Sequence, residues 1–371
     1  MRRMIYLSEP VLGEKEEGNL IECIRSTFVS SVGPFVGEFE QRVADFCHSP
    51  HAVALQSGTA ALHLSLAMAG VQAGDEVIVP TLTFVATVNP IRYLGARPVF
   101  VDADVETWGL DVRLLDAACS ARTKAVLPVH LFGFPAQIET ICSWAKERGI
   151  TVIEDATEGL GTRIGEGNVG TFGTLGCLSF NGNKIITTGG GGMILCQDEV
   201  LAERARKLGT QARDMGWEYK HSEVGYNYRM TNLQAAVGLA QMEQIEEILA
   251  HRERIVELYR QGLSDLPGIC LSPFREGVQW NGWLMSILLP TGQADLRLDI
   301  IKFMEERQIQ VRPFFFPLHQ QAPARDDPYF GGNVAESLHR RGINLPTSFK
   351  LNEGDIARII DSVREFWAAN F

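Results

Sequence analysis

The chain has 371 residues, 45% of them apolar, and carries a formal net charge of −11. That length supports a core for one big domain and a smaller one, while the acidic balance argues against general binding to nucleic acid or an anionic membrane. Residues 1–8 hold two arginines with no apolar run behind them, and no stretch approaches membrane-spanning length, so a cytoplasmic protein is expected.

Residues 14–46 read as helix, interrupted at 30–34 by a turn with a Gly-Pro pair. Strand and helix signals then alternate: strand 52–55, helix 59–69, strand 76–79, a helix through Tyr93, strand 98–101, a short helix around Leu114, strand 125–129, helix 137–148 and a strand ending at Asp155. An apolar run follows at 175–180. Such alternation predicts an α/β fold with a mostly parallel sheet covered by helices, and functional groups should collect on loops at its edge. Farther on, Thr231 can cap a helix whose apolar positions, from Leu233 and Val237 to Ile248, recur at helical spacing. This pattern runs to Leu263, long enough to call for a kink, and joins two expected domains, residues 1–255 and 256–371. Beyond Pro267 come strand 283–289, helix 296–307, strand 310–312 and helix 355–367. The seven cysteines stand singly and the eight histidines show no ligand spacing, which favours reduced thiols and no metal site.

Three stretches carry chemistry. Lys184 stands between an apolar strand and a four-glycine tract with no acid near it in sequence; a desolvated amine there can act as a nucleophile or Schiff-base former, although a solvated loop lysine is the plainer reading. Asp155 ends an apolar strand, where open α/β sheets present ligand-binding groups. Gln56-Ser57-Gly58-Thr59 leads from a strand into a helix whose free N–H groups suit a phosphate. A lysine, an aspartate for a pyridinium nitrogen and a phosphate-binding helix start are the groups that pyridoxal phosphate requires. Other positions stay open. Phe84 beyond strand 76–79 is more often core than ligand contact by composition, and His130 reads equally as a satisfied interior histidine or a substrate contact. Asp102 and Asp104 read as turn formers. Arg213, Lys220, His221 and Arg229 are candidates for a local basic patch or ordinary surface charge.

The segments SGTAALHL, GDEVIVPTLTFVAT, PVFVDAD, VIEDATEGLG, SFNGNKIITTGGGGM and GYNYRMTNLQAA, in this order and spacing, resemble the DegT/DnrJ/StrS family of pyridoxal-phosphate-dependent sugar aminotransferases. The likeness covers nearly the whole chain. It implies fold type I of the pyridoxal phosphate enzymes: a large domain with a mostly parallel seven-stranded sheet, a smaller C-terminal α/β domain, and a homodimer with active sites at the subunit interface. By the same resemblance Lys184 binds pyridoxal 5′-phosphate as a Schiff base, Asp155 pairs with the pyridine nitrogen, and Glu158 lies near the phenolic oxygen, where many relatives have glutamine. Phe84 would stack on the ring, Gly58, Thr59 and Ser179 would hold the phosphate, and Asn227 would reach into the other subunit's site. Ser31, Asn183, Arg229 and His319 are the candidate substrate contacts.

The implied reaction moves the amino group of L-glutamate, through pyridoxamine 5′-phosphate, to C4 of a nucleotide-linked 4-keto-6-deoxy sugar for surface glycan synthesis. SFNGNK, WLMSIL and RPFFFPLH look closest to such 4-aminating members. The C-terminal pattern resembles perosamine synthases, which use a GDP-linked sugar, whereas Leu160, where many of those have histidine, looks more like the UDP-linked bacillosamine and legionaminic acid enzymes. Amination of a 3-keto sugar is the alternative. A 3-dehydratase is disfavoured because such members replace the lysine with histidine, and a non-catalytic binding relative because Lys184, Asp155 and the phosphate residues are all present.

Overall fold

The computed structural model of the protein describes residues 3–290 and 296–371; the first two residues of the amino-terminal start considered above lie outside it. Strands covered on both faces need near-continuous apolar runs, and the chain supplies them. In chain order they are β1 (His51–Leu55), β2 (Glu76–Pro80), β3 (Arg97–Val101), β4 (Thr123–Val126) and β5 (Thr151–Asp155). The short β6 (Arg163–Ile164) and β7 (Gly167–Asn168) form a ribbon, and β8 (Leu175–Ser179) and β9 (Gly192–Cys196) rejoin the large sheet. The C-terminal part adds β10 (Cys270–Leu271), β11 (Val278–Gln279), β12 (Met285–Leu288), β13 (Arg312–Pro313), β14 (Tyr329–Phe330) and β15 (Gly342–Leu345).

The large sheet runs β1-β9-β8-β5-β4-β2-β3-β14. It is parallel except at β9, which is antiparallel to both neighbours. Six of its strands are ones read from the sequence; β9 was not read individually although seven strands were expected, and the eighth, β14, arrives from the C-terminal part and pairs in parallel with β3, Tyr329 opposite Phe100. A two-residue strand has no periodicity to read, so its place is set by a tertiary clamp. The carboxylate of buried Asp102 accepts from the backbone N–H groups of Gly332 (3.0 Å), Val334 (3.1 Å) and Ala335 (2.8 Å) at the start of the Val334–Arg341 helix. Asp102 is therefore more than a turn former, whereas Asp104 does close a local turn on Glu106 and Thr107.

A second sheet, β10-β12-β15-β13, packs with the helices Ile245–Leu263, Arg297–Glu306 and Glu353–Asn370. Its core gathers Tyr259, Met285, Ile343, Ile359 and Trp367, and also Ile5 from the amino terminus, whose N–H bonds the Gln308 carbonyl at 2.9 Å. The expected division at 255/256 falls inside the Ile245–Leu263 helix. The long helical pattern is indeed broken: Thr231 caps Asn232–Met242 through a capping box with Gln234, and the next helix starts at Ile245. All seven cysteines are unpaired. Among the described residues no cluster of three or more His, Cys, Asp or Glu could hold a metal ion, and no helix is long and apolar enough to cross a membrane.

Candidate active site

A cavity of about 840 Å³ opens between the edge of the large sheet and the second sheet. Gly58, Thr59, Phe84, Asp155, Glu158, Ser179, Asn183 and Lys184 all line it, so eight of the twelve expected site residues converge there. The fold brings them together because β5 and β8 are neighbours and both end at the cavity. The helix start comes in from the side. The Ser57 hydroxyl caps the Gly58–Met68 helix by accepting from the Ala60 N–H at 3.1 Å, which leaves first-turn N–H groups that the helix ladder does not use. A Cβ on Gly58 would stand 2.9 Å from Ser179 Cβ, and one on Gly192 would stand 2.3 Å from the Ser57 carbonyl oxygen. The glycine tract thus lets this cap seat directly on β8 and β9.

Lys184 has an acid after all, supplied by the fold. Its Nζ lies 3.5 Å from Glu158 Oε1 and 4.3 Å from the centre of the Trp283 ring. Glu158 is buried and its Oε2 accepts from the Phe132 N–H at 2.7 Å. Burial pushes this carboxyl above the usual range, with Lys184 and the Phe132 N–H opposing. Trp283 is fixed in turn: its indole N–H donates to the Asn183 carbonyl at 2.7 Å, and its own carbonyl accepts from Arg252 at 3.0 Å. Asn281 completes the brace by donating from Nδ2 to the carbonyls of Glu158 (2.8 Å) and Leu160 (2.9 Å) and accepting the Trp283 N–H (3.0 Å).

Asp155 is 2% exposed. Its Oδ2 accepts from the Thr87 hydroxyl at 2.8 Å and its Oδ1 from the Thr157 N–H at 3.2 Å. Because the Thr87 proton is committed to a carboxylate that can only accept, the Thr83 hydroxyl 2.9 Å away must donate to Thr87. Two buried hydroxyls therefore point one after the other at Asp155.

Four expected residues lie outside this cavity. Ser31 is exposed on the turn between the first two helices, and Asn227 is exposed, in a bridge with Thr210. Arg229 makes a largely buried ion pair with Glu40 at 2.9 Å, and Glu40 also takes the Ala54 N–H at 2.8 Å. His319 stacks on Tyr329 with ring centres 3.9 Å apart; its Nδ1 is 2.7 Å from the Thr81 hydroxyl, and burial holds its pKa below the usual value. The other basic candidates are engaged locally on an exposed arm: Arg213 over the Tyr219 ring, Lys220 with Glu218, His221 on the Gln211 carbonyl. His130 is fully buried and satisfied, with Nε2 2.9 Å from Glu154 and Nδ1 accepting from the Ala136 N–H at 3.2 Å. The Leu160 side chain packs in the core. The sequence reading missed Thr87, Asn281, Trp283, Arg312 and Asn344. Thr87, Trp283 and Arg312 fell inside motifs already singled out; Asn281 and Asn344 carry no local signal.

A lysine amine, a fixed carboxylate and a capped helix start around one cavity at the edge of a parallel sheet define a lysine Schiff-base enzyme of the α/β aminotransferase type. More particularly, the chain belongs to the DegT/DnrJ/EryC1/StrS aminotransferase family, whose profile matches residues 10–364. It is 42% identical over 364 residues to the GDP-perosamine synthase of Caulobacter vibrioides, covering 96% of each chain, and 39% identical over 366 residues to that of Escherichia coli O157:H7, covering 99% of each. The crystal structure of the aminotransferase TlmJ from Streptoalloteichus hindustanus superposes with a TM-score of 0.93 at 30% identity, covering 99% of each chain. The family's aminotransferases depend on pyridoxal 5′-phosphate. The donor set here fits that group: an amine at Lys184, an acceptor at Asp155, and unused N–H groups at Gly58 and Thr59 beside the Ser179 hydroxyl.

Proposed function

We propose that the protein transfers the amino group of L-glutamate to C4 of a nucleotide-linked 4-keto-6-deoxy sugar, giving 2-oxoglutarate and a 4-amino sugar. The observation that carries this reading is the convergence of Lys184, Glu158 and Asp155 on a single cavity with an aromatic wall. Both named relatives are GDP-perosamine synthases, which puts the GDP-linked sugar first; Leu160 is buried in the core, so its side chain gives no reason to prefer UDP.

Bound in the cavity, the cofactor supplies a carbonyl to receive the amino group and a ring that draws electrons from the carbon losing its proton. Lys184 Nζ is the group placed to take the proton from the donor's α carbon and, in the second half, to deliver one to C4 of the sugar. Glu158 sets the charge beside Nζ. Asp155, immobilised by Thr87 and Thr157, is the group that would pair with the cofactor's ring nitrogen. Phe84 and Phe315, with ring centres 5.7 Å apart, form an apolar wall that limits water.

The active form we infer is a cytoplasmic homodimer. The arm carrying Met215, Trp217, Tyr219 and Val224, each at least 80% exposed, is an apolar surface suited to a second copy of the chain, and Asn227 lies at its base.

The test is an assay of 2-oxoglutarate formed from glutamate, with GDP-linked 4-keto-6-deoxymannose and UDP-linked 4-keto-6-deoxy-N-acetylglucosamine side by side. Turnover of either supports the reading, and Lys184→Ala should abolish it. No turnover with 4-keto sugars but turnover with a 3-keto sugar would move the reaction to C3.

A further inference from the structure

The substrates in this reading are anions, and the protein is acidic overall, so the cavity needs a cation of its own. Among the described residues two cationic side chains line it, Lys184 and Arg312. Lys184 is held by Glu158 and used in the chemistry. The two acids that line the cavity are also engaged, Glu158 by Lys184 and Asp155 by Thr87. Arg312 is exposed and has no ion pair or side-chain hydrogen bond among the described residues.

Its position is built by the second sheet. Arg312 lies on β13, directly opposite Asn344 of the antiparallel β15, and cross-strand partners of this kind present their side chains on the same face. Asn344 also lines the cavity. Its Oδ1 accepts the Ser286 hydroxyl at 2.6 Å, which fixes the amide orientation and leaves both Nδ2 protons available to donate. Gln310, two residues before Arg312 and so on the same side of an extended segment, lines the cavity too; its Oε1 is taken by the Leu7 N–H at 3.0 Å, which again leaves the NH2 end. One wall of the cavity therefore presents a guanidinium fork flanked by two oriented amides whose NH2 groups are available to donate. That geometry matches the paired oxygens of a carboxylate or phosphate.

We propose that Arg312, supported by Asn344, is the anion-recognition group of this cavity, holding the carboxylate of the amino donor or the diphosphate of the sugar nucleotide. The proposal rests on the aminotransferase reading for the identity of the anions, but not for their capture. In a reaction of two halves the substrates occupy the cavity in turn, so one cation can serve both.

Calorimetric titration of the holoenzyme with unreactive anions separates the sources: glutarate for the carboxylate, and guanosine or uridine diphosphate for the phosphate. Arg312→Gln should weaken at least one probe by about tenfold to a hundredfold, the range for a charge-assisted hydrogen bond, with unchanged thermal unfolding because the residue is exposed. Arg312→Lys should fall between, since it keeps the charge and loses the fork. Weakening of glutarate alone assigns the carboxylate, of the nucleotides alone the phosphate, and of both a shared role. The proposal is overturned if Arg312→Gln binds both probes within about twofold of the wild type, or if the wild type binds neither. A wild type that binds anions through Arg312 yet aminates no keto sugar would instead remove the proposed reaction and leave the anion site standing.

Discussion

Replacing Thr87 with valine tests whether Asp155 works because it is held. The substitution keeps side-chain shape and deletes the hydroxyl that donates to Asp155 Oδ2 at 2.8 Å. With Asp155 2% exposed, water has little access to replace it, and the carboxylate keeps only the longer Thr157 N–H bond. A hydrogen bond to a charged group contributes about 1.5–3 kcal/mol, and each 1.36 kcal/mol in a barrier is about tenfold in rate. If the bond serves to hold Asp155 for the reaction, kcat/KM should fall by roughly tenfold to a hundredfold, with protein level and cofactor content unchanged. Thr87→Ser, which restores the hydroxyl, should recover most of the loss. A valine variant within about twofold of the wild type, or a serine variant as impaired as the valine one, would refute this account.

Three further outcomes follow from the geometry. Burial raises the Glu158 pKa, so the folded chain binds more protons than the unfolded chain from pH 4.5 up to the folded pKa, and stability from this group is lost as pH rises through that window. In cofactor-free protein, the unfolding free energy of Glu158→Gln relative to wild type should therefore increase with pH above 4.5; a difference that is flat or falls would contradict it. Asn281→Ala leaves the carbonyls of Glu158 and Leu160 and the Trp283 N–H buried without partners, a cost of about 3–5 kcal/mol in denaturant unfolding, and a loss below about 1 kcal/mol would deny Asn281 its bracing role. Met215→Ser combined with Trp217→Ser should shift sedimentation from dimer toward monomer; unaltered dimers would show that the arm does not hold the copies together.

The alternation of apolar strands with helices was legible in the chain because each strand of a parallel sheet is covered on both faces and must be apolar along its length. So was the placement of Lys184, Asp155 and the Gly58 helix start, since strand ends and caps leave a local trace. What supports those groups was not legible. Glu158 meets Lys184 only because β5 and β8 are neighbours, and Asn281 and Trp283 reach them from the segment that joins β11 to β12. Arg229 and His319 show the converse: each sits in a motif that drew it into the site, while packing assigns one to Glu40 and the other to Thr81 and Tyr329. The sequence by itself determined which strand ends would carry reactive groups, because burial periodicity and caps are local properties. Which of those groups share a cavity, what charge each one faces, and which arginine lines that cavity were decided by the tertiary structure, since a partner distant in sequence leaves no mark on the residues beside it.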